Sequence, residues 1–212
     1  MLFDTFLESV VKIEHLELFG EISHAKMSPP YRLELAERMK EKAKTAKKAG
    51  VLALFYPKTV ETHLVLILRK TYKGVHSAQV GFPGGKYEDE DKDLMFTALR
   101  ETKEEVGVPE DMVNVIKQMS PLYIPPSNFM VHPYMGISEI TPKFVKQDEE
   151  VEAIIEVRLQ DFLDDANSIT TKVSTSYNVE VNVPAFQLNG HIVWGATAMM
   201  LGEVKDLLKQ VL

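Results

Sequence analysis

Hydrophobic residues near the start of the chain recur at helical spacing. Leu2, Phe3, Phe6, Leu7, Val10 and Val11 share one stripe and predict a helix within residues 2–19. Ser28-Pro29-Pro30 interrupts it, and a second helix is expected from about Arg32 to Lys48, stopped by Gly50. The pattern then changes. VLALFY (Val51–Tyr56) and HLVLILRK (His63–Lys70) are short apolar runs bounded by a turn around Pro57, which predicts buried strands. Val80–Phe82, Val113–Met119, Phe129–Ser138, Val151–Val157, Val179–Leu188 and Ile192–Trp194 are further strand candidates. Around RETKEEVG, Met95, Leu99, Thr102 and Val106 fall within about 60° on a helical projection, so a helix there is expected to bury that side. A last helix is predicted over Ala196–Leu212. Strands with helices before, between and after them predict an α/β fold, an α/β/α sandwich with a mixed sheet. The expected division is a helical N-terminal arm, 1–49, and a main domain, 50–212.

Charge on the RETKEEVG helix (Arg100 to Gly107) points to chemistry. Glu105 lies about 40° from Glu101, and Glu104 about 60° on its other side, so three acids crowd one face. Like charges at i, i+4 destabilise a helix, and Glu104 and Glu105 would sit in its last turn, where the dipole disfavours anions. Gly107 is the expected C′ residue. A hard divalent cation would resolve the conflict; a solvated acidic face balanced by Arg100 and Lys103 is the alternative. Upstream, Pro83-Gly84-Gly85 is expected to form a tight turn that brings backbone close to a ligand.

Composition narrows the setting. The chain has 212 residues, no cysteine and a formal charge of −7, which excludes disulfides and thiolate metal sites and argues against nucleic-acid binding. No apolar run approaches a membrane span, and the acidic N-terminus lacks the basic region of a secretory signal, so a cytoplasmic protein without a membrane partner is expected. Tyr31–Gly50 runs against the average, with seven Lys or Arg against three Glu. It is either a solvated helix face or a positive flank that attracts a polyanion.

The stretch GGKYEDEDKDLMFTALRETKEEVGV (Gly84 to Val108) resembles the Nudix box, G-x5-E-x7-R-E-U-x-E-E-x-G-U with U aliphatic. Arg100, Glu101, Glu104, Glu105, Gly107 and Val108 match by position. Thr102 occupies the first aliphatic position, and the box glycine falls on Lys86, one residue after Gly85. That offset resembles the coenzyme A pyrophosphatase branch, whose loop reads G-G-x-x-E-x-x-D, matched by Gly84, Gly85, Glu88 and Asp91. Arg69, His76, Gln79 and Phe82-Pro83-Gly84-Gly85 fit the same branch, as do Tyr123–Ser127 and Val193–Ala198, so the likeness covers about residues 50–205. Lys70 and Ala78 depart from it on the substrate side.

The resemblance implies a Nudix-type sandwich and hydrolysis of a small-molecule diphosphate, coenzyme A or a derivative, to 3′,5′-ADP and 4′-phosphopantetheine. The alternatives are another nucleoside diphosphate derivative such as ADP-ribose, or a nucleotide-binding module without turnover, against which all three box glutamates argue. Mg²⁺ or Mn²⁺ is implied, with Glu104 and Glu105 as the main ligands, Glu101 either a ligand or acting on the water, and the Gly85 carbonyl a further candidate ligand. Arg100 is expected in the catalytic set, holding neighbouring acids in place, with substrate contact as the alternative. Glu150 is the candidate general base, unless the run 147–152 is merely solvated. Arg69, His76, Gln79 and Lys86 are expected on the substrate side. Arg69, Lys70 and Lys73 are candidates for the 3′-phosphate, and Glu88 and Asp91 for a second ion or a salt bridge. Trp194, Phe129 and Met130 either line the pocket or pack in the core, and His132 is a weaker phosphate candidate. The arm is a candidate homodimer contact.

Overall fold

The computed structural model describes residues 1–70, 79–174 and 180–212. The arm contains α1 (Phe3–Val10), a 3₁₀ turn (Val11–His15), α2 (Glu21–Lys26), α3 (Arg32–Arg38) and α4 (Lys40–Ala43). Then follow β1 (Lys47–Lys58), β2 (Glu61–Arg69), β3 (Val80–Gly81), β4 (Gly84–Lys86) and α5 (Leu94–Val106). After a 3₁₀ turn at Glu110–Met112 come β5 (Asn114–Gln118), β6 (Leu122–Ile124), β7 (Phe129–Ile137), β8 (Val151–Arg158) and α6 (Leu159–Leu163). A 3₁₀ turn at Asp165–Asn167 precedes β9 (Ser168–Ser174), β10 (Glu180–Leu188), β11 (His191–Trp194) and α7 (Gly195–Val211).

Strands β1 to β8 form one mixed sheet, ordered β3-β2-β1-β7-β5, with β4 beside β1, β6 beside β7 and β8 beside β2. β1 and β7 run parallel; the other pairs are antiparallel. β9, β10 and β11 make a separate antiparallel sheet.

β1 is apolar almost throughout because both its faces are covered. Leu52, Leu54 and Tyr56 pack on one face with Ala98 and Val106 of α5, whereas Ala53 and Phe55 pack on the other with α1 and α7. This is the α/β/α sandwich that the pattern of elements predicts. β1 pairs with β2 only over Phe55–Lys58, and β4 takes the same side over Ala49–Val51. The strand exchange brings the glycine-rich segment onto the sheet next to α5.

Several expected boundaries shift. The second helix ends at Ala43, and β1 starts at Lys47, so the expected boundary after residue 49 falls inside a strand. Gly50 is no helix stop. It lies in β1 directly beneath α5, where a β-carbon would collide with the Leu94 carbonyl. Pro83-Gly84-Gly85 is not a free turn either, since Gly84 and Gly85 lie in β4. The first helix gives way after Val10 to the 3₁₀ turn that buries Ile13. Met95 is 38% exposed; the inner face of α5 is instead Thr97, Ala98, Thr102 and Val106. Thr102 fits an aliphatic position because its hydroxyl donates to the Ala98 carbonyl at 2.6 Å.

The arm is fixed by both apolar and polar contacts. Phe3, Phe6, Val10 and Ile13 are buried in the main core. Glu203 of α7, fully buried, accepts hydrogen bonds from Gly20 N (2.8 Å), Ser120 N (3.0 Å) and Ser120 Oγ (2.6 Å). The His24 ring nitrogen Nε2 stands 3.6 Å from its carboxylate, beyond hydrogen-bond length. Burial pushes the Glu203 pKa upward, but His24, Ser120 and Gly20 outweigh it and hold it at about 2.

Candidate active site

The acidic face stands on α5, whose ends are well defined. Asp93 caps the N-terminus by accepting from Phe96 N at 2.8 Å, and Gly107 closes the C-terminus in the left-handed conformation (φ 77°). The acids then meet different surroundings. Glu105 is only 2% exposed, Glu101 is half-buried and Glu104 is exposed.

Arg100 organises the loop before the helix. Its Nε and Nη2 donate to the two Asp91 carboxylate oxygens at 2.8 and 3.1 Å, and Nη2 also reaches the Lys86 carbonyl at 3.2 Å. Nη1 lies 3.1 Å from both Glu101 Oε1 and Glu104 Oε2. The buried Asp91 also accepts from Thr97 Oγ1 (2.8 Å) and Glu88 N (3.0 Å). The Arg100 guanidinium, with these bonds, holds the Asp91 carboxyl down at about 2. Of the two readings of Asp91, a second ion or a salt bridge, the observed contact is the salt bridge.

Glu105 sits deeper. Its Oε2 accepts from Gly84 N at 2.8 Å, and its Oε1 lies 3.4 Å from Arg69 Nη1, reached from β2. Burial pushes its pKa up to about 7 against the pull of Arg69 and Gly84. Burial also raises the Glu101 carboxyl. Glu150 lies near enough that its charge disfavours ionisation of both Glu101 and Glu105, and its carbonyl accepts from Lys70 N at 2.9 Å. Among the described residues, no three carboxylates stand already converged around a cation; arginines hold them instead. Their chemistry nonetheless suits a hard divalent ion. Two of them carry raised pKa values, a third acid adds repulsion, and a cation would favour the ionised forms.

Gly85 lies directly against the Glu101 carboxylate. Any β-carbon at position 85 would fall inside the Glu101 carboxylate. Because the colliding atoms end a side chain, Gly85→Ala is expected to fold while turning Glu101 aside. The expected result is a fall in kcat of about tenfold or more, with urea unfolding shifted by less than about 1 kcal/mol.

Beside this face opens a cavity of about 360 Å³. Gly84, Gly85, Lys86, Arg69 and Gln79 line one side, and Phe129 and Trp194 contribute aromatic wall. Trp194 and Phe129 are therefore cavity residues, whereas Met130 and His132 are not among its walls; His132 faces Gln118 instead, at 3.3 Å. His76 and Lys73 lie outside the described residues. Unforeseen from sequence is the contribution of the arm, since Pro29, Tyr31, Arg32 and Leu35 also line the cavity. Much of the rest of the basic helix is an ordinary solvated face, where Arg38, Lys40 and Lys44 pair with Glu34, Glu37 and Glu41.

The family model of the NUDIX domain matches residues 44–176. The Nudix hydrolase NudL of Yersinia pestis (strain Pestoides F), itself uncharacterised, is 31% identical over 151 residues, 71% of this chain and 73% of the relative. The chain belongs to the Nudix hydrolase family. A NudL of Yersinia pseudotuberculosis serotype O:3 is similar to the same extent. Solved Nudix structures share the fold at low identity. RenU of M. smegmatis superposes with a TM-score of 0.54 at 12% identity, covering 79% of this chain and 88% of that one. A MutT/nudix family protein of Enterococcus faecalis gives 0.52 at 15%, covering 82% and 70%. Nudix hydrolases generally use divalent metal ions and act on small molecules, and no described helix here is long and apolar enough to cross a membrane.

Proposed function

We propose that this Nudix hydrolase is a pyrophosphatase that cleaves the diphosphate of coenzyme A or a derivative, releasing 3′,5′-ADP and (acyl-)4′-phosphopantetheine. The carrying observation is the cavity, whose lining combines Gly84, Gly85 and Lys86, beside the acidic face, with Arg69, Gln79 and the aromatic residues Trp194 and Phe129. Coenzyme A joins a diphosphate to an aromatic base, and this lining offers polar and cationic groups for the one and aromatic surface for the other.

Mg²⁺ or Mn²⁺ held by Glu101, Glu104, Glu105 and the Gly85 carbonyl would neutralise the diphosphate and make attacking water more acidic. Glu105, anchored by Gly84 N, and Glu101, seated over Gly85, present their oxygens from a rigid strand–helix junction. Arg100 keeps Asp91 and the box loop in register, a positioning role consistent with its bidentate contact. Arg69 lines the cavity beside Glu105 and offers positive charge to a phosphate, with Gln79 and Lys86 on the same side. Glu150 is the proposed general base, supported by its electrostatic proximity to Glu101 and Glu105. Trp194 provides a face for stacking a base.

Product analysis with purified protein tests the reading. Coenzyme A, acyl-coenzyme A, ADP-ribose and dinucleoside polyphosphates are incubated with Mg²⁺ or Mn²⁺. Cleavage of coenzyme A in preference to the others is the expected outcome. If ADP-ribose turns over faster, the substrate assignment falls, and if none is cleaved, the pyrophosphatase reading falls with it.

A further inference from the structure

Charge pairing leaves one arginine apart. Of the five arginines, four meet a carboxylate: Arg38 meets Glu34, Arg69 meets Glu105, Arg100 meets Asp91, and Arg158 meets Asp161. Arg32 meets none among the described residues. It opens α3, lines the cavity, and donates through Nη2 to the Tyr123 carbonyl of β6. Burial lowers its pKa to about 10, against an opposing pull from Tyr31. A guanidinium has five N–H donors in a planar fork, and the Tyr123 carbonyl takes only part of that capacity. Arg32 is half-buried on the cavity lining, so a ligand in the cavity could take up its remaining donors.

Sheet register shows how far this fork stands from the acidic face. Tyr123 pairs with Met130 of β7, and Met130 with Lys48 of β1. Lys48 accepts through its carbonyl from Tyr87 N, immediately after β4. Three strand spacings therefore separate the Tyr123 carbonyl from the box segment, about 14 Å. A phosphate held over Gly85 does not span that distance.

We propose that Arg32 is a specificity-determining residue that binds a second anionic group of the substrate, a phosphomonoester remote from the scissile diphosphate. The assignment rests on the diphosphate reading given above. Arg32 would thereby make the N-terminal arm part of the binding site, and a planar fork suits a phosphate's paired oxygens.

Two substrates that differ by a single phosphate, coenzyme A and 3′-dephospho-coenzyme A, provide the test. Wild type is expected to favour the phosphorylated form. Arg32→Met is expected to lower kcat/KM for coenzyme A about 10- to 100-fold, mostly through KM, the loss of one charged hydrogen-bonding contact. Turnover of the dephospho form should stay within about twofold, because no contact to it is lost. Arg32→Lys keeps the charge without the fork and should fall between; it also serves if the Met variant fails to fold. An equal loss on both substrates, no loss on coenzyme A, or no wild-type preference would each overturn the proposal. If wild type cleaves neither compound, the diphosphate reading fails separately, and equilibrium binding decides on Arg32. Tighter binding of 3′,5′-ADP than of 5′-AMP, abolished in Arg32→Met and reduced in Arg32→Lys, would support the role. Equal binding of the two would end it.

Discussion

Glu105→Gln is expected to lower kcat by about a hundred- to a thousandfold, the usual loss when a charged group aimed at the reacting centre is removed, while making the metal-free protein more stable. Both effects come from one burial. The Glu105 carboxylate is almost fully enclosed, and that enclosure pushes its pKa from near 4.5 to about 7. In linkage terms, the folded state holds its proton more tightly than the unfolded state. Stability associated with the protonated form is full below about pH 4.5 and is lost as pH rises through about 7. At neutral pH and without metal, ionised Glu105 therefore weakens the fold, by up to about 3 kcal/mol at 1.36 kcal/mol per pKa step. Gln has the same shape, keeps an acceptor for Gly84 N, and carries no charge. Its metal-free melting temperature should exceed wild type by about 2–4 °C for each kcal/mol recovered, and the gap should widen from pH 4.5 to pH 7. Wild type should gain stability on adding Mg²⁺ or Mn²⁺, and the variant should gain much less. Calorimetry with and without metal, alongside product formation, tests all three. Turnover within about tenfold of wild type, or equal metal stabilisation of both proteins, would remove Glu105 from the proposed site.

Such a gain in stability on loss of activity is what a functional site built against local stability would show. The same tension made the acidic face visible in the sequence: three glutamates within a narrow arc, two of them in the last turn, contradict helix electrostatics. Local rules carried that far. They also located the Gly107 cap and the apolar runs of β1 and β2, but not the space that Gly85 leaves for Glu101. Local rules failed where the deciding partner is distant. Gly50 resembles a helix stop until α5 is laid across it. Arg69 meets Glu105 across 36 positions, and Arg32 meets Tyr123 across 91. Periodicity cannot register either pair. α2 was missed for another reason. Its buried residues are Ser23 and His24, so its inward face carries no apolar stripe. β9, SITTKVS, is likewise too polar, and β6 has only three residues between prolines.

Ser23 and His24 are turned inward because of Glu203 and Asp206, and this gives the largest expected effect on stability. Glu203→Ala should destabilise the protein by about 3–5 kcal/mol, the range for breaking a buried charged network by removing one partner. Gly20 N, Ser120 N and Ser120 Oγ would all lose their acceptor, and the His24 ring its neighbouring carboxylate. Glu203→Gln keeps one acceptor oxygen but turns an amide toward the remaining donors, so about 2–3 kcal/mol is expected. The pH dependence has the opposite sign to that of Glu105. Here the folded pKa is depressed, from near 4.5 to about 2. The stabilisation is present above about pH 4.5 and is lost as pH falls toward 2. Urea unfolding of wild type between these limits should show a decline that Glu203→Gln lacks. Kinetics adds a second readout, since Gly20 and His24 lie on the arm that carries Arg32 to the cavity. Loosening the arm should raise KM while leaving kcat on the cleavable substrate within about twofold, because the α5 carboxylates are anchored independently by Arg100, Arg69 and Gly84. If both variants unfold at wild-type urea concentrations, the network does not hold the arm, and the arm's apolar contacts at Phe3, Phe6, Val10 and Ile13 must suffice alone.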